Sequence, residues 1–136
     1  MADKRFKLEI IAPDKIFYDG DVFMVEYNTT EGETGVYADH IPMTQVLAPG
    51  ILTITEDENT RKQAALHTGF VEITQEKVTI LAESVEWPED IDFNRAEEAR
   101  IRAQRRIEGV PGKILDVQRA ELALKRALIR ESVSKL

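Results

Sequence analysis

The sequence predicts an N-terminal antiparallel β-sandwich followed by a C-terminal two-helix antiparallel hairpin, and three observations carry that reading. Short β-rich runs at close spacing, separated by turns rich in Gly and Pro, fill roughly the first 90 residues, the pattern of a sandwich or flattened barrel. The hexad Ile91-Asp92-Phe93-Asn94-Arg95-Ala96 returns as Leu115-Asp116-Val117-Gln118-Arg119-Ala120, and each copy opens a run rich in Ala, Leu, Arg and Glu. Charge divides at the same place: residues 1–91 hold 7 Lys/Arg against 18 Asp/Glu, a net of −11, and residues 92–136 hold 11 against 7, a net of +4.

The strands follow in order. Phe6, Leu8 and Ile10 alternate with Lys7 and Glu9, the period of a half-buried strand, and Pro13-Asp14 closes the run. Tyr18-Asp19-Gly20-Asp21 reads as a turn into a strand from Val22 to Tyr27. Glu31-Gly32-Glu33-Thr34-Gly35 implies a tight reversal, and Tyr37 to Pro42 an ordered loop before Val46-Leu47. Ala48-Pro49-Gly50 is a turn, Ile51 to Ile54 is β-rich, and Glu56-Asp57-Glu58-Asn59 is a polar hairpin tip. A strand around Lys62 to Thr68 is expected to continue through Gly69 to Ile73; Thr74 to Lys77 turns, and Val78 to Ala82 is the most apolar strand. Pro88 biases Trp87 away from helix, so the boundary is placed there, giving units at 1–88 and 89–136.

The helices are bounded by the same local rules. Asp92 and Asp116 are placed as N-caps, where a carboxylate accepts orphan amide protons at the positive end of the helix dipole, and Gly109-Val110-Pro111-Gly112 is the break between the two. Ala96, Ala99, Ala103 and Ile107 form a narrow stripe on the first helix; Val117, Ala120, Leu124, Ala127 and Leu128 form a broader one on the second. Such small side chains bury little area, so the hairpin is expected to close weakly. Arg95, Arg102 and Arg106 align on the first helix, and Arg119, Arg126 and Arg130 on the second. That basic face suits an anionic partner or ligand, with a merely solvated face as the plain alternative.

Composition excludes several function classes. The chain of 136 residues has no cysteine, so no disulfide framework, thiolate nucleophile or Cys-ligated zinc. The polar start and the lack of a long apolar run lead to the expectation of a soluble, cytosolic chain without lipid insertion. An acidic body repels a phosphate backbone, so no nucleic-acid partner is expected. His40 and His67 stand far apart and outside any metal-binding spacing, and neither a phosphate-cradling loop nor a Gly-x-Ser-x-Gly turn is present. His67 reads as a cross-strand packing residue. No catalytic set and no metal site emerge. A cupin-type metal enzyme with a helical tail is the alternative of a different class; it needs clustered histidines that the sequence does not provide.

One combination of motifs is specific. Pro13…Tyr18-Asp19-Gly20, Gly32…Gly35…His40-Ile41-Pro42, Pro49-Gly50, Gly69-Phe70-Val71-Glu72, Val78 to Ala82, Ile91-Asp92-x-x-Arg95-Ala96 and Ala120 to Ala127 together resemble, nearly end to end, the epsilon subunit family of bacterial rotary ATP synthases. The resemblance implies a sandwich of about ten strands, a place in the central rotor stalk against the gamma subunit and the c-subunit ring, and a peripheral position on the cytoplasmic face of the plasma membrane. It implies a non-catalytic subunit that couples ion translocation to ATP synthesis. The hairpin of such subunits folds down or extends toward the beta and alpha subunits and restrains ATP hydrolysis. Straightened, about 45 residues reach on the order of 65 Å, with a kink expected at Pro111.

Bacillar members of that family bind ATP as a regulatory ligand in the closed hairpin. The matching positions here are Glu86, Ile91, Asp92, Arg95, Ala96, Arg102, Arg126 and Arg130. Arg95, Arg102, Arg106, Arg119, Arg126 and Arg130 form the face that would meet partner subunits. Guanidinium groups suit either task, because they stay charged and present forked donors to phosphate and carboxylate oxygens. No catalytic cofactor is implied. A free-standing ATP sensor differs from this reading only in its partners.

Overall fold

The computed structural model describes residues 4–109 and 114–134, with the backbone alone at 109 and 114–117. It divides into two compact units, Met1–Glu86 and Trp87–Leu136.

Among its described residues the first unit holds ten strands: β1 (Phe6–Ala12), β2 (Lys15–Val22), β3 (Met24–Thr29), β4 (Gly32–Tyr37), β5 (Met43–Leu47), β6 (Gly50–Asp57), β7 (Thr60–Leu66), β8 (Gly69–Ile73), β9 (Lys77–Ala82) and β10 (Val85–Glu86). They pair along one path, β10-β7-β6-β3-β5-β8-β9-β1-β2, with β4 also on β3. The β3–β5 link is the single pair Thr29↔Leu47. The path folds there into two leaves, β4-β3-β6-β7-β10 and β5-β8-β9-β1-β2. Alternation supplies the core: Leu8, Ile10, Val25, Leu52, Ile54, Val71 and Ile80 are fully buried, while Lys7 on the opposite face of β1 is exposed. Tyr27 shares that core, its hydroxyl donating to Gln45 Oε1 at 2.6 Å and its pKa pushed up to about 12 by burial.

Four local expectations are revised. Tyr18 to Asp21 is not a turn but part of β2, with Gly20 opposite Leu8. β2 ends the pairing path, and an edge strand accepts Gly and Asp because one of its sides needs no partner. The reversal after β3 is confined to Thr30-Glu31, with Gly32 at φ 126°; Gly35 lies in β4 opposite Glu26. β7 does not run on into β8. The chain crosses between leaves at His67-Thr68 and restarts at Gly69, whose φ is 155°. Finally, β1 pairs with β9 in parallel, the two lying far enough apart in sequence for the long connection that a parallel pair needs.

In the second unit a 3-10 turn, Pro88–Asp90, leads to Ile91, whose N–H donates to Pro88 O at 3.2 Å. α1 runs Phe93–Gly109 and α2 Ile114–Ser134. Asp92 caps α1: its Oδ1 accepts from the Arg95 N–H at 3.1 Å, and its carbonyl from the Ala96 N–H at 3.0 Å. Asp116 does not start α2. The helix begins at Ile114, leaving Asp116 as its third residue, still within the first turn where a negative charge is favoured. Val110, Pro111 and Gly112 of the expected break lie outside the described residues. The seam between α1 and α2 is made of small side chains, with Ala96, Ala103, Ala120 and Ala127 buried. Leu128, expected in this stripe, is 43% exposed.

Candidate functional site

The arginines of the hairpin owe their placement to a local rule. Arg95, Arg102, Arg119 and Arg126 each stand immediately before a buried seam alanine: Ala96, Ala103, Ala120 and Ala127. One residue is about 100° of helical rotation, so all four share one offset from the seam. An antiparallel pair is related by a two-fold axis normal to the plane of the helices, and equal offsets therefore put both rows on the same side of the hairpin. Arg106 and Arg130, one turn further, extend the rows. Arg95, Arg102, Arg106 and Arg119 are exposed, and Arg126 and Arg130 half-buried. Among the described residues, Arg95, Arg102 and Arg126 have no carboxylate within ion-pair distance. The arginines outnumber the acids on this side, where Glu98 stands between Arg95 and Arg102, and a polyanion would relieve the repulsion among them.

The remaining candidates are placed less uniformly. Ile91 and Asp92 directly precede α1, and Asp92 has one carboxylate oxygen committed to its cap. Ala96 is in the seam. Glu86 belongs to the first unit, on β10 opposite Ala65, where its Oε1 lies 3.5 Å from Nε2 of His67. His67 falls just past the end of β7, with its backbone N–H donating to Ser84 O at 3.0 Å and its ring 1% exposed. His40 is an exposed loop residue with Nδ1 2.9 Å from Ile41 O. Among the described residues no group of three His, Asp or Glu side chains converges as metal ligands do.

Two features escape the sequence reading. Arg100 and Glu131 meet across the seam, Nε donating to Oε1 at 3.1 Å, and no local pattern pairs residues 31 apart. The sandwich carries the second. Val46, Phe70, Leu81 and Ile11 are register partners on β5, β8, β9 and β1, forming one apolar row on the outer face of that leaf. Val46, Phe70 and Leu81 are 47%, 54% and 45% exposed, and they line a groove of about 610 Å³. The neighbouring row on the same face, Thr44, Glu72, Thr79 and Glu9, is polar. Lys77 Nζ donates to Glu9 Oε1 at 2.9 Å, which lowers the Glu9 pKa and raises that of Lys77. Alternation alone could have flagged Phe70 and Leu81, since each stands out of phase with its strand's buried set.

Sandwich and hairpin define a class: a two-part protein with an exposed apolar row on its β unit and a cationic face on its α unit. Comparison with known proteins gives the family. Residues 5–88 match the beta-sandwich domain of the ATP synthase delta/epsilon chain, and residues 89–135 match its long alpha-helix domain. The chain belongs to the ATP synthase delta/epsilon chain family, and is thus a non-catalytic subunit type. It is 40% identical over 127 residues to the ATP synthase epsilon chain of Clostridium novyi, covering 93% of this chain and 95% of that one. With the epsilon chain of Caldanaerobacter subterraneus the identity is 41% over 133 residues, covering 97% and 95%. Among solved structures, a chain of the Euglena gracilis mitochondrial ATP synthase (OSCP, F1 and c-ring, rotational state 1) superposes with a TM-score of 0.81 at 26% identity, covering 94% of this chain and 80% of that one. A chain of the Tetrahymena thermophila mitochondrial ATP synthase central stalk and c-ring shares the fold, with a TM-score of 0.66 at 15% identity over 98% and 99%.

Proposed function

We propose that the chain works in the central stalk of an ATP synthase, with its sandwich seated on the gamma subunit and the c-subunit ring. Its hairpin then acts as a regulator that restrains ATP hydrolysis through contacts with the beta and alpha subunits. The protein stays peripheral, on the cytoplasmic face of the membrane; among the described residues no helix is long and apolar enough to cross it. The apolar row of Val46, Phe70 and Leu81 supports the docking half of this reading, because an exposed contiguous apolar strip favours burial against a partner.

In this reading ATP is a signal held by the hairpin and not a substrate. The observation that carries it is the pair of arginine rows on one side of a seam built from alanines. Arg95 and Arg102 on α1, with Arg126 and Arg130 on α2, offer forked donors to a polyphosphate, and a polyanion between them joins two helices that otherwise repel. Asp92 holds the first turn that sets Arg95, and Ile91 and Ala96 complete the candidate set on this unit. A ligand at about 100 times its Kd contributes roughly 2.7 kcal/mol to the state it selects, comparable to a weak seam. Calorimetric titration of the whole chain tests this. Arg126→Ala, a position that supports no cap, is expected to weaken ATP binding by roughly tenfold or more with helix content unchanged. Undiminished binding would assign the arginine face to protein partners instead.

A further inference from the structure

The seam that holds the two arginine rows at a working distance is almost featureless. Ala96 and Ala103 face Ala120 and Ala127 as a run of near-identical small side chains. These alanines recur every seven residues, two turns or about 10.5 Å, and side chains this small have little shape to interlock, so they discriminate weakly between one register and another. Something other than apolar packing has to choose the register.

We infer that Arg100 and Glu131 are that choice: a positioning pair, clasped through the seam, that fixes α1 against α2 and so sets the spacing between Arg95/Arg102 and Arg126/Arg130. Both residues are on the seam by helical spacing. Arg100 lies four residues after Ala96 and three before Ala103, and Glu131 lies four after Ala127. The guanidinium is held from three directions: Nε donates to Glu131 Oε1 at 3.1 Å, Nη1 to Gln104 Oε1 at 3.0 Å, and Nη2 lies 3.9 Å from Glu97 Oε1. The two acceptors on α1 fix the direction in which Arg100 can reach across. Side-chain exposure is 26% for Arg100 and 14% for Glu131, so the pair is screened by salt far less than a surface pair. A slip of one turn would leave a half-buried guanidinium and a more deeply buried carboxylate without each other, a cost that the alanines do not impose.

This inference rests on the reading of the hairpin as an ATP site, and the test separates the two. The chain has no native cysteine, so Glu98→Cys and Ser132→Cys, both at exposed positions, place one spin label on each helix of the full-length protein. The expected result is a single narrow interlabel distance in the parent. Glu131→Leu is expected to broaden or split that distribution, with helix content by circular dichroism retained. Glu131→Gln, which keeps an acceptor for Nε, should stay close to the parent, and Arg100→Lys, which loses the fork, should resemble Glu131→Leu. ATP affinity measured on the same proteins is expected to fall by roughly tenfold in Glu131→Leu and less in Glu131→Gln. A Glu131→Leu distribution as narrow as the parent's and centred at the same distance overturns the clasp. If the parent itself does not bind ATP, the ATP reading fails, and the distance measurements alone still decide whether the clasp sets the register. If Glu131→Leu loses its helices, the Gln and Lys variants decide it, since neither removes a helix-forming side chain.

Discussion

Gly69 shows how one residue can decide a connection. Its φ of 155° is a conformation that side-chain-bearing residues rarely adopt, and an added Cβ would stand 2.1 Å from the backbone oxygen of Leu81. Backbone, unlike the end of a flexible side chain, has no room to yield. Gly69→Ala is therefore expected to cost roughly 1–3 kcal/mol, read as a lower urea midpoint, whereas Gly32→Ala, with φ 126° but open space around the site, loses only the backbone preference, about 1 kcal/mol. Equal midpoints for the two variants would contradict this account. Local rules of this kind are what the sequence exposes at the scale of the residue: Asp92 is legible as a cap because the signal lies within four residues. Arg100 and Glu131 are not, because they are two ordinary charged residues on helices until tertiary packing brings them together. Glu86 and His67 are likewise joined only by the pairing of β10 with β7.

Elements were legible where their boundaries are chemical and illegible where pairing decides. Alternation is enough for β1, whereas Tyr18 to Asp21 carries the composition of a turn and becomes strand because β2 is an edge that pairs with β1 alone. The parallel contact of β1 with β9 has no sequence signature, yet it brings Glu9 to Lys77. That pair makes the joint between the two strands sensitive to pH at both extremes. The Glu9 pKa is depressed below its ordinary 4.5 by Lys77, so the stabilisation it gives is present above 4.5 and lost as pH falls through the lower folded value. The Lys77 pKa is raised above 10.5 by Glu9, so its share is present below 10.5 and lost as pH rises through the higher folded value. Glu9→Gln should therefore be less stable than the parent between these limits and converge with it in acid. Thermal unfolding at pH 7 and below pH 3 checks this; a difference that stays constant into acid would show that Glu9 acts through packing and not through charge.

At the scale of the molecule, the division into an acidic β unit and a basic α unit was readable from charge and periodicity, because those are sums over many residues and survive local misreadings. The apolar row proposed for docking was not, since which apolar side chains remain outside depends on how the strands are ordered. The structure shows a row: Val46, Phe70 and Leu81 lie abreast on the outer face of one leaf, and Thr44, Glu72 and Thr79 lie abreast beside them. An apolar row beside a polar one gives a partner both a surface to desolvate and an edge to align on. Phe70, the most exposed of the three, offers the largest apolar area. Replacing it costs the isolated chain little, because its side chain has few neighbours to lose; Phe70→Glu is expected to shift stability by about 1 kcal/mol or less. In a docked complex the same change buries an unpaired carboxylate, which costs several kcal/mol and should abolish capture by a gamma-type subunit in co-purification. Glu72→Ala, two residues along β8 on the polar row, is expected to leave capture intact. Retained capture by a folded Phe70→Glu chain would mean that the partner sits on another face of the sandwich, and the edge strand β2 would be the next surface to probe.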